Sequence, residues 1–204
     1  AVKWASCPHD GGFRRRVLQR EGEVLSRLSH PGIVRLHASA PLGAHGWYLV
    51  LDRIRGRTLK HVARTATPTV PAATSYVQQL LHALAYVHAG DGLWGCRGRP
   101  QLLHGDISPY NVMLEDEGRV KLIDFGFACR PSRAAGARAG GTPGYVAPEA
   151  ALGFGCDERA EVFSCGAILF ELLTGAPVYS GSSKTELVRR AKQGPRRVEV
   201  GLDG

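Results

Sequence analysis

HGDISPYN at residues 104–111 is followed by DFG at residues 124–126 and by APE at residues 147–149, and this spacing decides the fold of the chain. The motifs contain two aspartates and one asparagine, side chains that suit metal binding and proton transfer. No other part of the 204-residue sequence carries as much chemical information. These motifs are therefore the starting point for both the fold and the function.

A β-hairpin is predicted between the first two motifs. The runs 111–114 and 119–123 are rich in apolar and β-branched residues, and the turn-forming residues 115–118 separate them. The open ends of a hairpin lie side by side. We therefore expect Asn111 and Asp124 to lie close together.

These side chains suit phosphoryl transfer to a hydroxyl group. That reaction needs an oriented nucleophile, magnesium held across the phosphates and positive charge near the phosphate oxygens. Asp106 would accept or orient the hydroxyl proton, whereas Asn111 and Asp124 offer the hard oxygen ligands that magnesium prefers. The motifs therefore predict a phosphate-transfer site that contains magnesium.

The chain resembles the protein kinase family, in its eukaryotic-like serine/threonine form, over almost all of its length. Six phrases occur in family order: AVK at 1–3, FRRRVLQRE at 13–21, HPGIVRL at 30–36, WYLVLDRI at 47–54, HGDISPYN at 104–111 and GTPGYVAPE at 141–149. Any one phrase can arise by chance, but six in the same order indicate the family. Abundant arginine, alanine and glycine, with few lysines, are typical of a bacterial member.

The resemblance implies an α+β class, with a bilobal protein-kinase-like fold and a truncated small lobe. Residues 1–52 would form the partial small lobe, with antiparallel strands and one helix. Residues 53–56 would be the hinge, and residues 57–204 a mostly helical large lobe that is incomplete at its C-terminus. The chain would begin at the family's third strand, without the Gly-rich loop that covers the phosphates. We therefore expect a fragment of a longer protein that binds ATP weakly by itself.

Apolar residues at helical spacing predict three helices. The first lies within residues 12–28 and carries Glu21 on its apolar face, where an ionisable group needs a partner. The second begins near Pro71. The third covers residues 160–173, is apolar nearly all round and ends at Gly175. The second and third helices would form the centre of the large lobe.

The resemblance also implies roles for individual side chains. Lys3 would hold the α and β phosphates with Glu21 as its partner, and Asp106 would be the catalytic base. Asn111 and Asp124 would be the magnesium ligands, with Asn111 also in the catalytic set. The residues expected to bind the nucleotide are Ala1, Lys3, Leu51 as the gatekeeper, Asp52, Ile54, Met113 and Asp124. Those expected in the substrate loop are Thr142, Gly144 and Tyr145.

The implied activity is ATP-dependent transfer of the γ-phosphate to serine or threonine hydroxyls of protein substrates, with ATP and Mg²⁺ as cofactors. Thr142 in the substrate loop favours serine and threonine over tyrosine. Two alternatives stay open. One is a pseudokinase or interaction module with weak or no catalysis. The other is a small-molecule kinase of the aminoglycoside phosphotransferase type, which shares the HGD motif and an asparagine five residues later.

Several residues depart from the family pattern or lack their usual partner. Gly105 replaces the arginine that reads an activating phosphate, so activity is expected not to depend on phosphorylation of Ser132. Ser108 replaces a lysine near the γ-phosphate, so turnover is expected to be low. Glu161 replaces an aspartate that holds the catalytic-loop backbone. Glu149 is expected to be a buried carboxylate without its arginine partner.

Composition disfavours several other classes of protein. The chain has 26 Lys and Arg against 18 Asp and Glu, a net charge of +8, but the arginines are scattered without interleaved aromatic residues. We therefore expect no nucleic-acid partner. No apolar run is long enough for a membrane span. Five cysteines, an odd number without paired metal-ligand spacing, favour a reducing cytoplasm. The sequence leaves the oligomeric state open.

Overall fold

The computed structural model describes residues 1–6, 12–44, 46–90, 102–132 and 141–179, together with the single positions 186 and 189. The described chain forms two small antiparallel sheets and a set of helices around one main hydrophobic core. The predicted large lobe, residues 57–204, therefore lies partly outside the described residues.

The first sheet carries the beginning of the chain. It contains β1 (Val2–Ser6), β2 (Leu36–Leu42) and β3 (Gly46–Leu51) in the order β1-β3-β2, and both pairings are antiparallel. Lys3 lies opposite the fully buried Leu49. Since opposite residues share one face of a sheet, the Lys3 side chain lies on the buried face.

Helix α1 (Phe13–Leu25) packs against this sheet and confirms the first predicted helix. Glu21 is buried on its apolar side. Gly22 permits the close packing, because a Cβ atom there would lie only 2.9 Å from Leu49 Cδ2. A larger residue would push α1 away from the sheet and carry Glu21 with it. The buried apolar residues of α1 are Leu18, Val24 and Leu25.

The second sheet contains the predicted hairpin. Strands β5 (Val112–Glu115) and β6 (Val120–Leu122) pair antiparallel, and β4 (Gly56–Thr58) pairs with the other edge of β5. The Ile123 N–H donates to the Asn111 carbonyl at 2.9 Å. This bond joins the two open ends of the hairpin, as the sequence predicted.

Helices α3 (Val70–Ala89) and α5 (Glu158–Thr174) pack against each other and confirm the other two predicted helices. The Thr69 side chain caps the first turn of α3, where Pro71 lacks only an N–H that would have no helical partner. Helix α5 ends at Gly175, whose φ of 72° is the left-handed conformation that favours glycine. The start of α3 and the end of α5 therefore follow from local chemistry.

Three shorter elements connect these parts. Helix α2 (Leu59–Thr65) follows β4 directly and packs on α5. A 3-10 helix (Phe125–Phe127) follows the hairpin and contacts α1. Helix α4 (Pro148–Ala151) is a single turn ahead of α5. The chain therefore returns to α1 immediately after Asp124.

The main core joins both sheets to the helices. Its fully buried residues come from α1, the hairpin, the 3-10 helix, α3 and α5, and examples are Leu25, Leu122, Phe125, Leu84 and Ile168. This mixture of helices and small antiparallel sheets confirms the predicted α+β class. In the described part of the chain, no helix has both the length and the apolar character needed to cross a membrane.

The prediction that Glu149 is a buried carboxylate is wrong. Glu149 lies in α4 and is exposed, whereas its neighbour Ala150 is the buried residue of that turn. An exposed carboxylate keeps its hydration. The cost expected from a missing arginine partner therefore does not arise in this structure.

Candidate active site

Asp106 is held by hydrogen bonds on both carboxylate oxygens. Oδ1 accepts from the Thr142 backbone N–H at 2.7 Å and from the Thr142 hydroxyl at 2.8 Å. Oδ2 accepts from the Asn111 side-chain amide at 2.8 Å. An ionised carboxylate offers about four acceptor positions, so one position on Oδ2 is left for a further donor. The network therefore fixes the direction from which Asp106 can take up a proton.

The Asn111 amide has a defined orientation. Its nitrogen donates to the Asp106 backbone oxygen at 2.9 Å and to Asp106 Oδ2 at 2.8 Å. Because both partners are acceptors, the amide nitrogen must face them and Oδ1 must face away. Among the described residues, Asn111 Oδ1 accepts no hydrogen bond. It is therefore available as an oxygen ligand.

Lys3 joins two carboxylates from distant parts of the chain. Its Nζ lies 2.7 Å from Glu21 Oε2 and 2.9 Å from Asp124 Oδ1. The Glu21 side chain is 1 % exposed, whereas those of Lys3 and Asp124 are 37 % and 41 % exposed. An ammonium group has three N–H donors. Two are used here, and the third is left for a ligand at the exposed end of the triad.

Burial and charge oppose each other in this triad. Burial by itself would lower the pKa of Lys3, but the Glu21 and Asp124 carboxylates outweigh burial and raise that pKa above its usual value. Burial raises the pKa of Glu21, and the Lys3 ammonium opposes that rise. Lys3 is therefore charged at neutral pH. Its removal would leave Glu21 buried without a counter-charge.

Asp124 adopts a left-handed backbone conformation, with φ at 64°. Aspartate and asparagine tolerate this conformation better than other non-glycine residues, because their short side chains bond to nearby backbone groups. Here Asp124 Oδ1 accepts from the Gly126 N–H at 3.3 Å. The turn and this bond together direct the carboxylate toward Lys3.

Asn111 and Asp124 supply oxygen atoms that fit magnesium. Asn111 Oδ1 and Asp124 Oδ2 accept no hydrogen bond from the described residues, and the Ile123–Asn111 bond keeps the two backbones together. One amide and one carboxylate suit magnesium, which takes its other ligands from phosphate and water. No cluster of three or more His, Cys, Asp or Glu that would hold a metal occurs in the described ranges.

Glu161 of α5 anchors the backbone of the HGD motif. Its Oε1 accepts from the Gly105 N–H at 2.8 Å, and its Oε2 lies 2.6 Å from His88 Nε2 of α3. Glu161 is 3 % exposed, so these bonds are shielded from water. The longer side chain that replaces an aspartate therefore reaches the loop, and it links the loop to two helices.

The HGD motif packs tightly against the 3-10 helix. Gly105 has φ at 80°, and a Cβ atom there would lie 2.3 Å from the Phe127 carbonyl oxygen. Next to it, His104 is fully buried, pairs with the Ile123 carbonyl at 2.9 Å and packs edge-on against Phe125 with ring centroids 4.6 Å apart. A side chain at position 105 would therefore require the 3-10 helix to move.

Ser108 is fully buried, and its hydroxyl has no hydrogen-bond partner in the described part of the chain. An unsatisfied buried hydroxyl costs about 1–3 kcal/mol. Nothing in the structure explains why a hydroxyl stands here. The position supplies no cation to the site, as the sequence predicted.

The residues predicted to bind adenine lie at two places. Ala1 and Leu51 are neighbours across the first sheet, where the Leu51 N–H donates to the Ala1 carbonyl at 2.8 Å. Asp52 pairs with a histidine ring of β2 at 2.6 Å, and Ile54 packs against the main core. Met113 lies in β5 of the second sheet. Their part in nucleotide binding stays a prediction.

The predicted substrate loop is anchored through Tyr145. The buried Tyr145 hydroxyl donates to Glu171 Oε2, and Lys60 Nζ donates to Glu171 Oε1. Burial and the Glu171 carboxylate raise the pKa of Tyr145 well above its usual value, so the hydroxyl stays protonated. Gly144 precedes it with φ at 94°, a conformation suited to glycine. Of the three predicted substrate-loop residues, Thr142 is the one that contacts Asp106.

Lys60, Glu171 and His88 were not among the predicted site residues. Glu171 did have a signal, because a carboxylate inside a helix that is apolar nearly all round needs a buried partner. Lys60 had none, since it lies in a short helix 111 residues before Glu171. Its role depends on tertiary contacts alone.

The chain is similar to known proteins over almost its whole length. Residues 1–200 match the family model described as the protein kinase domain. The chain is 32 % identical to a probable serine/threonine-protein kinase of Corynebacterium efficiens, over 85 % of the chain and 26 % of that protein. It is 30 % identical to serine/threonine-protein kinase PrkC of Bacillus subtilis, over 91 % of the chain and 27 % of that protein.

A third relative is serine/threonine-protein kinase PknB of Mycobacterium tuberculosis. The identity is 31 %, over 88 % of the chain and 28 % of that protein. The chain thus spans about a quarter of the length of these curated bacterial relatives.

Proposed function

Because the chain belongs to the protein kinase family, we propose that it transfers the γ-phosphate of ATP to serine or threonine hydroxyls of protein substrates. The observation that carries this proposal is a pair of side-chain clusters at the open ends of one hairpin. Lys3, Glu21 and Asp124 form the first cluster, and Asp106 and Asn111 form the second. The backbone bond from Ile123 to Asn111 joins the two hairpin ends. A scaffold protein has no chemical need for all five side chains in this arrangement.

Asp106 would act as the base in this reaction. The substrate hydroxyl oxygen attacks the γ-phosphorus of ATP, its proton passes to Asp106 Oδ2, and the bond to the β–γ bridging oxygen breaks to release ADP. Oδ2 is suited to this step because it has one donor, whereas Oδ1 has two from Thr142. The Thr142 bonds would keep the carboxylate oriented during the transfer.

Lys3 would bind phosphate oxygens with the N–H that its two carboxylate partners leave. Glu21 limits the movement of the ammonium group, and its burial makes that pairing rigid. Asn111 and Asp124 would hold magnesium, which neutralises negative charge on the phosphates when it is bound.

Specificity for serine and threonine is supported by Thr142. Its hydroxyl bonds directly to Asp106, so the loop that would hold the acceptor segment is tied to the base. The printed names of the three bacterial relatives also describe serine/threonine kinases. Protein hydroxyls are therefore the proposed acceptors.

A pseudokinase is the second candidate, and Ser108 favours it. The uncharged, fully buried Ser108 leaves the γ-phosphate without one cation that the family usually supplies. Charge stabilisation is the larger part of this catalysis. A chain of this kind would bind nucleotide and partner proteins with little turnover.

The test is transfer of radiolabelled phosphate from ATP to a generic basic protein by the full-length gene product. Asp106→Asn should lower transfer by about 10²–10⁴-fold, because the base is lost while the shape is kept. Asp116→Asn, at an exposed turn of the hairpin, is the matched control and should keep activity. Equal activity in Asp106→Asn and the parent would overturn the proposal. ATP binding without any transfer by the parent would support the pseudokinase.

We also propose a cytoplasmic location. Cys129, Cys156 and Cys165 are free thiols. Burial raises the pKa of Cys156 and Cys165 to about 12, so both stay protonated and react slowly. Such thiols suit a reducing compartment.

A further inference from the structure

One side chain of α3 holds the closed end of the β5–β6 hairpin. Gln79 Nε2 donates to the Gly118 carbonyl at 3.2 Å, and Gln79 Oε1 accepts from the Val120 N–H at 3.0 Å. Because one partner accepts and the other donates, the amide has a single orientation. Gln79 thus ties the turn of the hairpin to the helix through two bonds to backbone groups.

These bonds complete the outer edge of β6. Val120 and Leu122 are two residues apart, so their backbone groups face the same edge of the strand. The Leu122 N–H donates to the Gly32 carbonyl at 2.8 Å, and the Leu122 carbonyl accepts from the Val34 N–H at 3.0 Å. Strand β6 is therefore held at two points, by Gln79 near the turn and by Gly32 and Val34 near its open end.

The second of these points lies between Gln79 and Asp124. Val120 is two residues before Leu122 and Asp124 is two residues after it, so at about 3.4 Å per residue each lies about 7 Å away along the chain. Without the bonds to Gln79, β6 would pivot at Leu122, and a movement of Val120 would move Asp124 by a similar distance. A misplacement of about 1 Å is enough to slow an enzyme reaction about 10²-fold. The position of Asp124 therefore depends on Gln79, although the two residues lie on different elements.

Burial keeps water from replacing Gln79. Val120 is 2 % exposed, and α3 packs along β6 at this place. A buried backbone N–H is nearly always paired, so loss of the Gln79 acceptor would make the strand shift toward water. Gln78, the preceding residue of α3, is exposed, and its side chain makes no hydrogen bond with the described residues. The two neighbouring glutamines therefore differ in the one respect that matters, which is contact with the hairpin.

We propose that Gln79 is a positioning residue for the magnesium site formed by Asn111 and Asp124. It would act through the hairpin, whose open ends carry both side chains. The bond from the Ile123 N–H to the Asn111 carbonyl, at 2.9 Å, makes Asn111 follow any movement of β6. This inference rests on the proposed function, because it assigns a role within the same site.

The first test measures metal binding without catalysis. Mn²⁺ takes the same oxygen ligands as Mg²⁺, and electron paramagnetic resonance follows its binding to the full-length gene product in the presence of AMP-PNP, a non-hydrolysable ATP analogue. Gln79→Met removes both hydrogen bonds and keeps the length of the side chain. The dissociation constant for Mn²⁺ should rise at least fivefold in this variant. Gln78→Met is the matched control and should bind Mn²⁺ as the parent does.

Two further variants separate positioning from loss of stability. Ala73→Gly replaces a fully buried residue of α3 and weakens the same helix without removing a bond to the hairpin. It should lower the melting temperature and leave the Mn²⁺ dissociation constant unchanged. Gln79→Glu keeps an acceptor for the Val120 N–H but loses the donor to Gly118, so its dissociation constant should lie between those of the parent and Gln79→Met.

The proposal is overturned if Gln79→Met binds Mn²⁺ as tightly as the parent, or if Ala73→Gly loses as much affinity. It is also overturned if the parent binds no Mn²⁺ together with AMP-PNP. Phosphate transfer from ATP is the second readout, and Gln79→Met should reduce it severalfold more at limiting than at saturating Mg²⁺. If the parent transfers no phosphate but the fivefold difference in Mn²⁺ binding is found, the proposed function fails and the role of Gln79 is supported.

Discussion

The two aspartates of the site have opposite surroundings. Asp106 has both carboxylate oxygens occupied by uncharged donors, from Thr142 and Asn111. Asp124 has one oxygen bonded to the Lys3 ammonium, and its side chain is 41 % exposed. The first carboxylate is thus oriented by hydrogen bonds, and the second by an ion pair at the edge of solvent.

The contacts that hold the two aspartates in place also differ. The loop of Asp106 is fixed to the helical body through Glu161, which is buried and bonds to Gly105. Asp124 is fixed through Lys3 to Glu21 of α1. Hydrogen bonds to a buried group are little affected by salt, whereas an exposed ion pair is screened. The Asp106 side is therefore rigid, and the Asp124 side is the one that a ligand or a shift of α1 would change.

Breaking the charged side, which contains Lys3, Glu21 and Asp124, should act mainly on activity. Lys3→Met removes the ammonium that joins Glu21 to Asp124 and would contact phosphate. We expect kcat/KM for phosphate transfer to fall about 10²–10³-fold. The measurement is steady-state transfer at saturating magnesium.

Lys121→Met, on β6, is the control for loss of a lysine, and it should keep activity within about twofold. If both variants lose activity equally, the effect reflects net charge, and the triad does not act as proposed.

Breaking the rigid side should have its largest effect on stability. Glu161→Ala leaves the Gly105 N–H and His88 without their buried acceptor. The free energy of unfolding should fall by about 2–4 kcal/mol. Urea unfolding followed by circular dichroism measures the change. Glu158→Ala, one turn earlier in α5, should cost much less, and an equal loss there would contradict the anchoring role.

A smaller loss of stability is expected at Tyr145, which anchors the substrate loop. Tyr145→Phe removes a hydroxyl that donates to the buried Glu171, and Lys60 is then its remaining partner. The free energy of unfolding should fall by about 1–2 kcal/mol. Tyr48→Phe in β3, whose hydroxyl makes no hydrogen bond with the described residues, is the control. No difference between the two variants in the same unfolding assay would show that the bond contributes nothing.

The smallest effect is the pH dependence of the Lys3 contribution. Its carboxylate partners raise the Lys3 pKa above the unfolded value of about 10.4. The contribution is therefore fully present below about pH 10 and is lost as pH rises through the folded pKa. Because Lys3 is 37 % exposed, screening limits it to less than about 1 kcal/mol.

Unfolding of the parent and of Lys3→Met at several values between pH 9 and pH 12 tests that dependence. The stability difference between them should shrink as the pH rises. A difference that grows over this range would show that the sign of the Lys3 shift is wrong.

Much of the fold followed from local patterns. The hairpin ends at Asn111 and Ile123, the start of α3 at Thr69 and the end of α5 at Gly175 depend on residues close in sequence. The exposure of Glu149 could not be predicted from local patterns, because exposure depends on which distant segments pack over a turn. The division into residues 1–52, 53–56 and 57–204 stays a prediction.

The candidate site was predicted in part. Lys3 and Glu21 pair as expected, and the contact of Lys3 with Asp124 was not predicted. The contacts of Glu171 with Tyr145 and Lys60 were missed, since they join three elements far apart in the chain. Sequence patterns report on neighbours within a few residues, and long-range partners leave no periodic signal.

The sequence by itself indicated a kinase, because Asp106, Asn111 and Asp124 have the residue types and the spacing that resemble the motifs of that family. Folding in three dimensions decided how each of those groups is oriented and how far each is exposed to solvent. Asp106 became fully oriented and Asp124 stayed accessible, because burial and the geometry of donors depend on how distant segments pack.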